Sequence, residues 1–343
     1  MRPQRRGLPL RIITPPLLLI AAILAAGCTQ WADASLPGTT VFPASDIGRR
    51  IQDLYALIFW MAVVVFIGVE GFLLYTIIRF RRRADNQMPT QTHGNTRLEV
   101  AWTILPSIVL LVIAIPTIPT IFAQDAIPST ASQRVRVIGH QWWWEFQYPD
   151  LGVVTANELH LPVGETARLE LRSADVVHSF SVPRMSSKMD VVPTRANHMW
   201  FTPEITGNFA GQCFEFCGTQ HANMRLRLIV ETPEAFQAWV QQQRAPAPVP
   251  GPGLQAGAAL FQGGACVGCH TIRGTPARGT AGPDLTHVGS RTTIAAGMLD
   301  NNQQNMKRWV QDAQSLKVGS RMPSLGLSDS DAEQIAAYLL SLK

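Results

Sequence analysis

The sequence predicts a multidomain protein that combines a hairpin of two membrane-spanning helices, an all-β domain and a separate C-terminal module. Two apolar runs long enough to cross a bilayer lie between residues 45 and 124. Residues 130–240 then carry short runs in which apolar and polar residues alternate, a pattern typical of β-strands. A proline-rich stretch at residues 241–253 separates this region from the last part of the chain, residues 254–343.

The composition leaves room for two or three domains in 343 residues and gives no reason to expect nucleic acid as a partner. The formal net charge is +5, but the cations cluster at the N-terminus and between Arg79 and Arg83, where membrane topology explains them. The five cysteines are too few and too unevenly spaced for a disulfide scaffold. Each cysteine therefore has its own candidate role.

Residues 1–28 have the pattern of a secretion signal. A basic stretch precedes an apolar run from Leu17 to Leu24, and L-A-A-G-C ends the segment at Cys28. This ending resembles a bacterial lipobox, whose cysteine is lipidated, although Ala25 stands where the strongest lipoboxes carry leucine. We expect cleavage and lipidation; the alternatives are an ordinary signal peptide with a free Cys28, or an uncleaved third hydrophobic span. The cations of the basic stretch are Arg2, Arg5, Arg6 and Arg11.

The two predicted membrane helices run from about 54 to 78 and from about 101 to 122. Four arginines follow the first span directly, so the positive-inside rule places this end in the cytoplasm and the C-terminal domains outside. Glu70 lies within the first span, where a carboxylate is costly, and we interpret it as a helix-packing residue with a polar partner. The four arginines are Arg79, Arg81, Arg82 and Arg83.

Alternating runs such as 134–137, 167–172 and 224–228, separated by Pro and Gly, predict an all-β sandwich or barrel of roughly a hundred residues. The segment G-H-Q-W-W-W-E-F precedes most of these strands. Successive side chains alternate on a strand, so Trp144 faces the same side as the first tryptophan and Trp143 faces the other. We assign Trp143 and Trp144 to core packing.

A metal-ligand pattern lies at the end of this region. Cys213, Cys217, His221 and Met224 fall within the fourteen residues G-Q-C-F-E-F-C-G-T-Q-H-A-N-M. Thiolate and imidazole together select copper, zinc or iron, and a thioether favours copper. His178, in D-V-V-H-S-F at the end of a strand-like segment, supplies a second imidazole.

A mononuclear blue-copper site uses one cysteine, whereas two cysteines are present here. Two thiolates can bridge a pair of copper ions, with one histidine as the terminal ligand of each. Met224 and the backbone carbonyl of Glu215 would then be weak outer ligands. Three alternatives remain open: a structural zinc site, a disulfide between Cys213 and Cys217, and a thioredoxin-like copper chaperone.

The pattern H-x34-C-x-E-x-C-x3-H-x2-M resembles that of subunit II of the haem-copper terminal oxidases, the cytochrome c oxidases. The resemblance implies a cupredoxin-like Greek-key barrel that holds a binuclear copper A centre for electron transfer. It also implies that Trp142, the first aromatic residue of its motif, lies over the copper centre and passes electrons inward. His140 is expected to support the site from nearby.

The same resemblance implies roles for the carboxylates of Glu99 and Glu215. Glu99, just before the second span, falls at the entrance of a proton-conducting channel of the catalytic subunit; a plain interfacial carboxylate at the helix N-terminus is an equal alternative. The Glu215 carboxylate would help to hold a magnesium ion shared with the catalytic subunit, with Asp190 as a weaker candidate. Magnesium requires octahedral oxygen ligands, so another chain would supply the rest.

The C-terminal module carries C-V-G-C-H. This spacing lets the thiols of Cys266 and Cys269 add to the two vinyl groups of a haem while His270 reaches the iron. Met322, in R-M-P-S-L, is the expected sixth ligand, and a Met/His pair suits electron transfer. We prefer it to His287, whose loop resembles the segment that packs beside the haem propionates.

Together with a capped helix predicted from Asp329 to Leu342, these features resemble a small, all-α class I cytochrome c domain. The alternating prolines of residues 241–253 favour an extended, semi-rigid spacer in front of it.

The resemblance therefore implies the electron-accepting subunit of a respiratory oxidase in the bacterial cytoplasmic membrane, with both cofactor domains on the periplasmic face. Electrons would pass from a cytochrome c or a quinol:cytochrome c reductase to the haem, then to the copper, then to subunit I, where O2 is reduced to water. Subunit III and membrane lipid are further expected partners. The alternatives are the same role in a nitric oxide reductase-type enzyme, or a membrane-anchored copper-delivery protein.

Overall fold

A computed structural model describes residues 38–81, 91, 93–129 and 131–343. The predicted signal segment with Cys28 lies outside these residues, as do Arg82 and Arg83. The described ranges form a helical hairpin, a β domain and a helical C-terminal domain, which confirms the predicted fold class.

The hairpin consists of α1, Asp46–Arg79, and α2, Thr96–Asp125. Both are apolar and long enough to cross a membrane, with mean hydropathies of 2.5 and 2.3 in their most apolar windows. Both extend beyond the predicted spans, because capped polar turns precede the apolar residues. Glu99 therefore lies in the first turn of α2 and not before it, and its carboxylate accepts a hydrogen bond from Asn95 N at 3.1 Å.

The start of α1 is part of the β domain. Ile47 is fully buried in the core of that domain, and the Asp46 carboxylate accepts a hydrogen bond from Thr202 N at 2.8 Å. The membrane hairpin is thus joined to the β domain by packing as well as by the chain.

The β domain packs two five-stranded mixed sheets face to face around one core. Its strands are β1 Gln133–His140, β2 Trp143–Tyr148, β3 Val153–Ala156, β4 Glu158–Pro162, β5 Ala167–Ser173, β6 His178–Ser181, β7 Met189–Val191, β8 Asn197–Phe201, β9 Gly207–Cys213 and β10 Arg225–Glu231. The first sheet has the order β3-β2-β1-β5-β8, and the second has the order β4-β10-β9-β6-β7. This is the cupredoxin-like sandwich that the resemblance implied.

The three tryptophans do not share one strand. Trp142 lies in the turn between β1 and β2, so the alternation of faces restarts at Trp143. Trp144 is fully buried, as predicted. Trp143 is only half-buried and stacks on His140 with ring centroids 4.2 Å apart, so its assignment to the core is wrong.

The predicted spacer is shorter than residues 241–253. Residues 241–244, the first four of the predicted spacer, belong to helix α3, Pro233–Arg244. This helix is capped by Thr232, and its apolar face packs on the β domain. Ala247 N then donates to Arg273 O at 2.9 Å, so the extended segment lies against the C-terminal domain.

The C-terminal domain builds its own core around Phe261, Ile335, Tyr338 and Leu339. The last helix is capped by the Ser328 hydroxyl, which accepts from Asp331 N at 3.1 Å, as the sequence predicts. The elements of this domain are α4 Gln255–Gly263, β11 Thr293–Ile294, β12 Leu299–Asp300, α5 Gln303–Gln311, α6 Ala313–Leu316 and α7 Asp329–Ser341.

The C-terminal domain rests on the β domain. Glu158, on β4, is 3% exposed, and its carboxylate accepts hydrogen bonds from Thr292 N at 2.7 Å and Thr293 N at 3.3 Å. His160 lies beside it, with Nδ1 3.0 Å from the carboxylate of Glu231. A buried carboxylate of one domain is thus satisfied by backbone N–H groups of the other.

The imidazole at this interface predicts a dependence of stability on pH. Burial alone would lower the pKa of His160, but hydrogen bonds to Glu158 and Glu231 outweigh it and raise the pKa above 6.5. The protonated ring therefore adds stability that is complete below about pH 6.5 and is lost as the pH rises through the raised pKa. We expect the thermal stability of the full chain to fall above about pH 6.5 more steeply than that of His160→Gln. His198→Gln, at an exposed position, is the control, and parallel profiles for the wild type and His160→Gln would contradict the expectation.

Candidate metal centre and haem site

The loop between β9 and β10 carries the predicted ligand motif. Cys213 ends β9, and its N–H donates to Met224 O at 2.9 Å, which ties the two ends of the loop together. The neighbouring strand β6 pairs Phe180 with Cys213. His178 is the first residue of β6, whereas the sequence predicted it at the end of a strand. Its ring points toward Cys213.

The two thiols and the two histidines converge. The Cys213 and Cys217 sulfurs are 3.8 Å apart and both cysteines are free thiols. Nδ1 of His178 lies 4.0 Å from the Cys213 sulfur, and Nδ1 of His221 lies 3.6 Å from the Cys217 sulfur. Each sulfur therefore has one imidazole nitrogen close to it.

Two weaker donors complete the cluster. The Met224 sulfur is 3.9 Å from the Cys217 sulfur, and the Glu215 carbonyl oxygen is 3.2 Å from the Cys213 sulfur. Such separations leave room for metal ions bound at the roughly 2.0–2.3 Å typical of nitrogen and sulfur ligands. His178, Cys213, Cys217 and Met224 are all at most 3% exposed. The donor set and its burial fit a soft metal such as copper.

The contact between the two thiols shifts their pKa values in opposite directions. The hydrogen bond that joins them holds the pKa of Cys213 well below its usual range, against the opposing effect of burial and with help from His178. The same pairing and burial raise the pKa of Cys217. Since the thiolate is the form that binds metal, a lowered thiol pKa at this site favours metal binding.

Asp175 contacts the predicted ligand His178, a partnership that the sequence did not predict. Its carboxylate lies 2.8 Å from Nε2 of His178 and accepts a hydrogen bond from Gln141 N at 2.7 Å. This contact turns Nδ1 of His178 toward Cys213. The signal was present as the aspartate three residues before the histidine in D-V-V-H.

Trp142 lies against the ligand loop. Its indole N–H and the side-chain amide of Gln141 both donate to Cys217 O, at 2.9 and 2.8 Å. Gly218 permits this contact, because its φ is +115° and a Cβ there would lie 3.0 Å from the indole. The structure therefore joins Trp142 directly to a predicted ligand residue.

The predicted magnesium carboxylates lie on the surface. Lys188 Nζ is 3.4 Å from the Glu215 carboxylate and 3.7 Å from that of Asp190. Both carboxylates are about half exposed. They share one lysine and remain accessible to another chain.

The haem motif lies at the start of the C-terminal domain. Nδ1 of His270 is bonded to Pro283 O at 2.9 Å, which leaves Nε2 for a metal. Burial lowers the pKa of His270, so the ring is neutral, as a ligand must be. A Cβ at Gly282 would lie 2.6 Å from the ring, so only glycine fits beside it. Cys266 and Cys269 are free thiols, half-buried and exposed respectively.

The two candidates for the sixth haem ligand lie in different surroundings. Met322 is half-buried, and its carbonyl accepts a hydrogen bond from Gln314 Nε2 at 2.7 Å. His287 is buried, with Nε2 bonded to Ala245 O at 3.0 Å. The ring of His287 is therefore engaged by the segment that precedes the domain.

The contact between Asp175 and His178 predicts a loss of metal affinity when it is altered. Gln141 N and His178 Nε2 bind different carboxylate oxygens of Asp175, and Asp175→Asn replaces one of these acceptors by an NH2 group, so asparagine can accept from one of the two donors but not from both. We expect metal affinity to fall by about 10- to 100-fold, because such partners orient a ligating histidine. Titration of the full chain with copper against a competing chelator measures this. Asp150→Asn, which alters a surface pair with Arg134, is the control; equal affinity in both variants would contradict the role of Asp175.

Comparison with known families and proteins agrees with this geometry. Residues 152–232 match "Cytochrome C oxidase subunit II, periplasmic domain", and residues 40–120 match "Cytochrome C oxidase subunit II, transmembrane domain". Residues 254–343 match "Cytochrome c". The first and last of these domains imply copper and haem, respectively.

Two relatives cover most of the chain. Cytochrome c oxidase subunit 2 of Alkalihalophilus pseudofirmus is 40% identical over 86% of this chain and 89% of its own length. That of Bacillus subtilis is 31% identical over 95% of this chain and 96% of its own. A crystal structure of the periplasmic domain of subunit II of cytochrome oxidase of Bradyrhizobium japonicum is 32% identical, with a TM-score of 0.34, and covers 35% of this chain and 97% of that one. From these family matches and relatives, the chain belongs to the cytochrome c oxidase subunit II family and carries a C-terminal cytochrome c domain.

Proposed function

We propose that the chain receives electrons at a covalently bound haem c and passes them through a binuclear copper A centre to subunit I, where O2 is reduced to water. Membership of the family makes it a membrane-anchored subunit of an oxidoreductase complex with subunit I as a partner. The observation that carries the finer proposal is the pairing of each thiol with one histidine in a single buried cluster.

The copper ligands follow from that pairing. Cys213 and Cys217 would bridge two copper ions, and His178 and His221 would each bind one of them. Met224 and the Glu215 carbonyl would be the weak outer ligands. When bound, the metal pair supplies one-electron transfer with little rearrangement, and the buried protein donors exclude water from it.

The haem would be held by thioether bonds to Cys266 and Cys269, with His270 and Met322 as axial ligands. The hydrogen bond from Nδ1 of His270 to Pro283 O orients the ring and leaves Nε2 as the nitrogen that would bind the iron.

Trp142 is the proposed route into the copper centre, because its indole N–H is bonded to the Cys217 carbonyl. Both cofactor domains would face the periplasm, with α1 and α2 in the bacterial cytoplasmic membrane. Glu215, with Asp190, would help to hold a magnesium ion at the contact with subunit I. Glu99 would lie near the entrance of a proton channel, where its position in the first helical turn also favours a carboxylate.

The remaining partners are proposed from the family. Subunit III would complete the membrane complex, and a cytochrome c or a quinol:cytochrome c reductase would supply electrons to the haem. Fusion of the cytochrome domain raises its effective concentration at the copper site.

Metal analysis and electron paramagnetic resonance of the purified full chain test this function. We expect two copper ions and one covalent haem per chain, with one unpaired electron shared over both copper ions in the oxidised protein. Cys217→Ser should remove the shared signal because it removes one bridging thiolate, whereas Cys269→Ala should weaken haem attachment and leave the copper signal unchanged.

A single copper ion with a localised signal, or bound zinc, in the wild type would contradict the binuclear site. That result would favour a copper-delivery protein.

A further inference from the structure

Lys317 is an unusual residue in the C-terminal domain. It is only 3% exposed, although lysine is almost never fully buried without partners. Its ammonium group donates to Trp142 O at 2.8 Å, Asn223 O at 2.8 Å and Ala295 O at 3.1 Å. An ammonium group has three N–H donors, so each of them has an acceptor.

The three acceptors connect both domains at the copper centre. Trp142 contacts the ligand loop, and Asn223 directly precedes the proposed ligand Met224. Ala295 belongs to the C-terminal domain itself. The side chain therefore leaves its own domain and ends between two segments that border the copper ligands.

The segment from Lys317 to Met322 makes two further contacts with the β domain, at Val318 and at Gly319. Gln220 Nε2 donates to Val318 O at 2.9 Å. Gly319 lies against the indole of Trp142, where a Cβ would be 3.6 Å from Cη2, and its φ of +82° favours glycine. One short segment thus joins the surface of Trp142 to the proposed axial ligand of the haem.

We propose that Lys317 is a positioning residue for electron transfer, which holds the segment that carries Met322 against Trp142 and so fixes the haem site relative to the copper site. This inference rests on the proposed function. Without the ammonium group, the carbonyls of Trp142 and Asn223 in the β domain and of Ala295 in the C-terminal domain lose their buried, charged donor. The segment would then separate from Trp142 more often.

The replacement Lys317→Met tests the proposal, because methionine has a similar length and no donor. Lys307→Met is the matched control: it removes a lysine of the same domain whose partners, Asp329 and Glu333, lie on that domain's last helix. The full chain is used in its oxidase complex at about pH 6, because burial lowers the pKa of Lys317 to about 7 and the group is charged there.

The haem is reduced by a light pulse, and the change in copper absorbance with time then gives the rate of haem-to-copper electron transfer. We expect Lys317→Met to slow it by about tenfold or more, the loss that one charged hydrogen bond represents, and Lys307→Met to leave it unchanged. Amide hydrogen exchange supplies an independent measurement. It should become faster at residues 317–320 and 222–224 in Lys317→Met alone.

These measurements distinguish failure of the role of Lys317 from failure of the proposed function. If the wild type lacks the shared copper signal or transfers no electron from haem to copper, the proposed function fails. If the wild type transfers electrons and Lys317→Met matches it in rate and exchange, the role of Lys317 is overturned. Should Lys317→Met not bind haem and copper, Lys317→Gln decides: glutamine is uncharged, shorter and has two N–H donors for three acceptors, so a rate below the wild type supports the role and a wild-type rate overturns it.

Discussion

The hydrogen bond between Cys213 N and Met224 O, at 2.9 Å, ties the ends of the ligand loop, and the geometry of the site depends on it. It continues the antiparallel ladder of β9 and β10 into the loop, so that Cys213 and Met224 start from fixed backbone positions. The next strand, β6, brings His178 to the same end of the sheet. Donors that are far apart in sequence therefore meet because β9 ends, and β6 and β10 begin, at the same edge of one sheet.

The sandwich also supplies what a soft metal site needs from its surroundings. Asp175 fixes the ring of His178, and Trp142 covers the loop through its bond to Cys217 O. Both contacts are made by the connections that leave β1 and β5 at one end of the first sheet. The second sheet thus carries the proposed ligands, and connections of the first sheet orient and cover them.

Two buried charges cross the contact between the domains in opposite directions. Glu158 of the β domain accepts from backbone N–H groups of the cytochrome domain, and Lys317 of the cytochrome domain donates to backbone carbonyls of the β domain. A buried charge without its partner is strongly unfavourable, so an orientation that breaks either contact is costly. The two contacts together favour one orientation, in which Lys317 and Gly319 lie against Trp142.

The sequence was sufficient for those features that depend on local pattern. Hydropathy located both membrane helices, alternation located the longer strands, and the spacing of Cys213, Cys217 and His221 located the cluster. The sequence was not sufficient for features that depend on tertiary contacts. Trp143 lies outside the core because of the turn at Trp142, and residues 241–244 of the predicted spacer belong to α3. Lys317 gave no local signal, because its acceptors belong to segments more than twenty residues away in the chain. Asp175 did carry one, in its spacing from His178.

The dependence of haem-to-copper electron transfer on solvent viscosity tests most directly whether the cytochrome domain is held in place. The rate would be measured in the intact complex after photoreduction of the haem, with increasing glycerol. A domain fixed by Glu158 and Lys317 transfers electrons without prior movement, so the rate should not change with viscosity. A rate that falls in proportion to viscosity would show that the domain must move before each transfer, and would contradict the fixed arrangement.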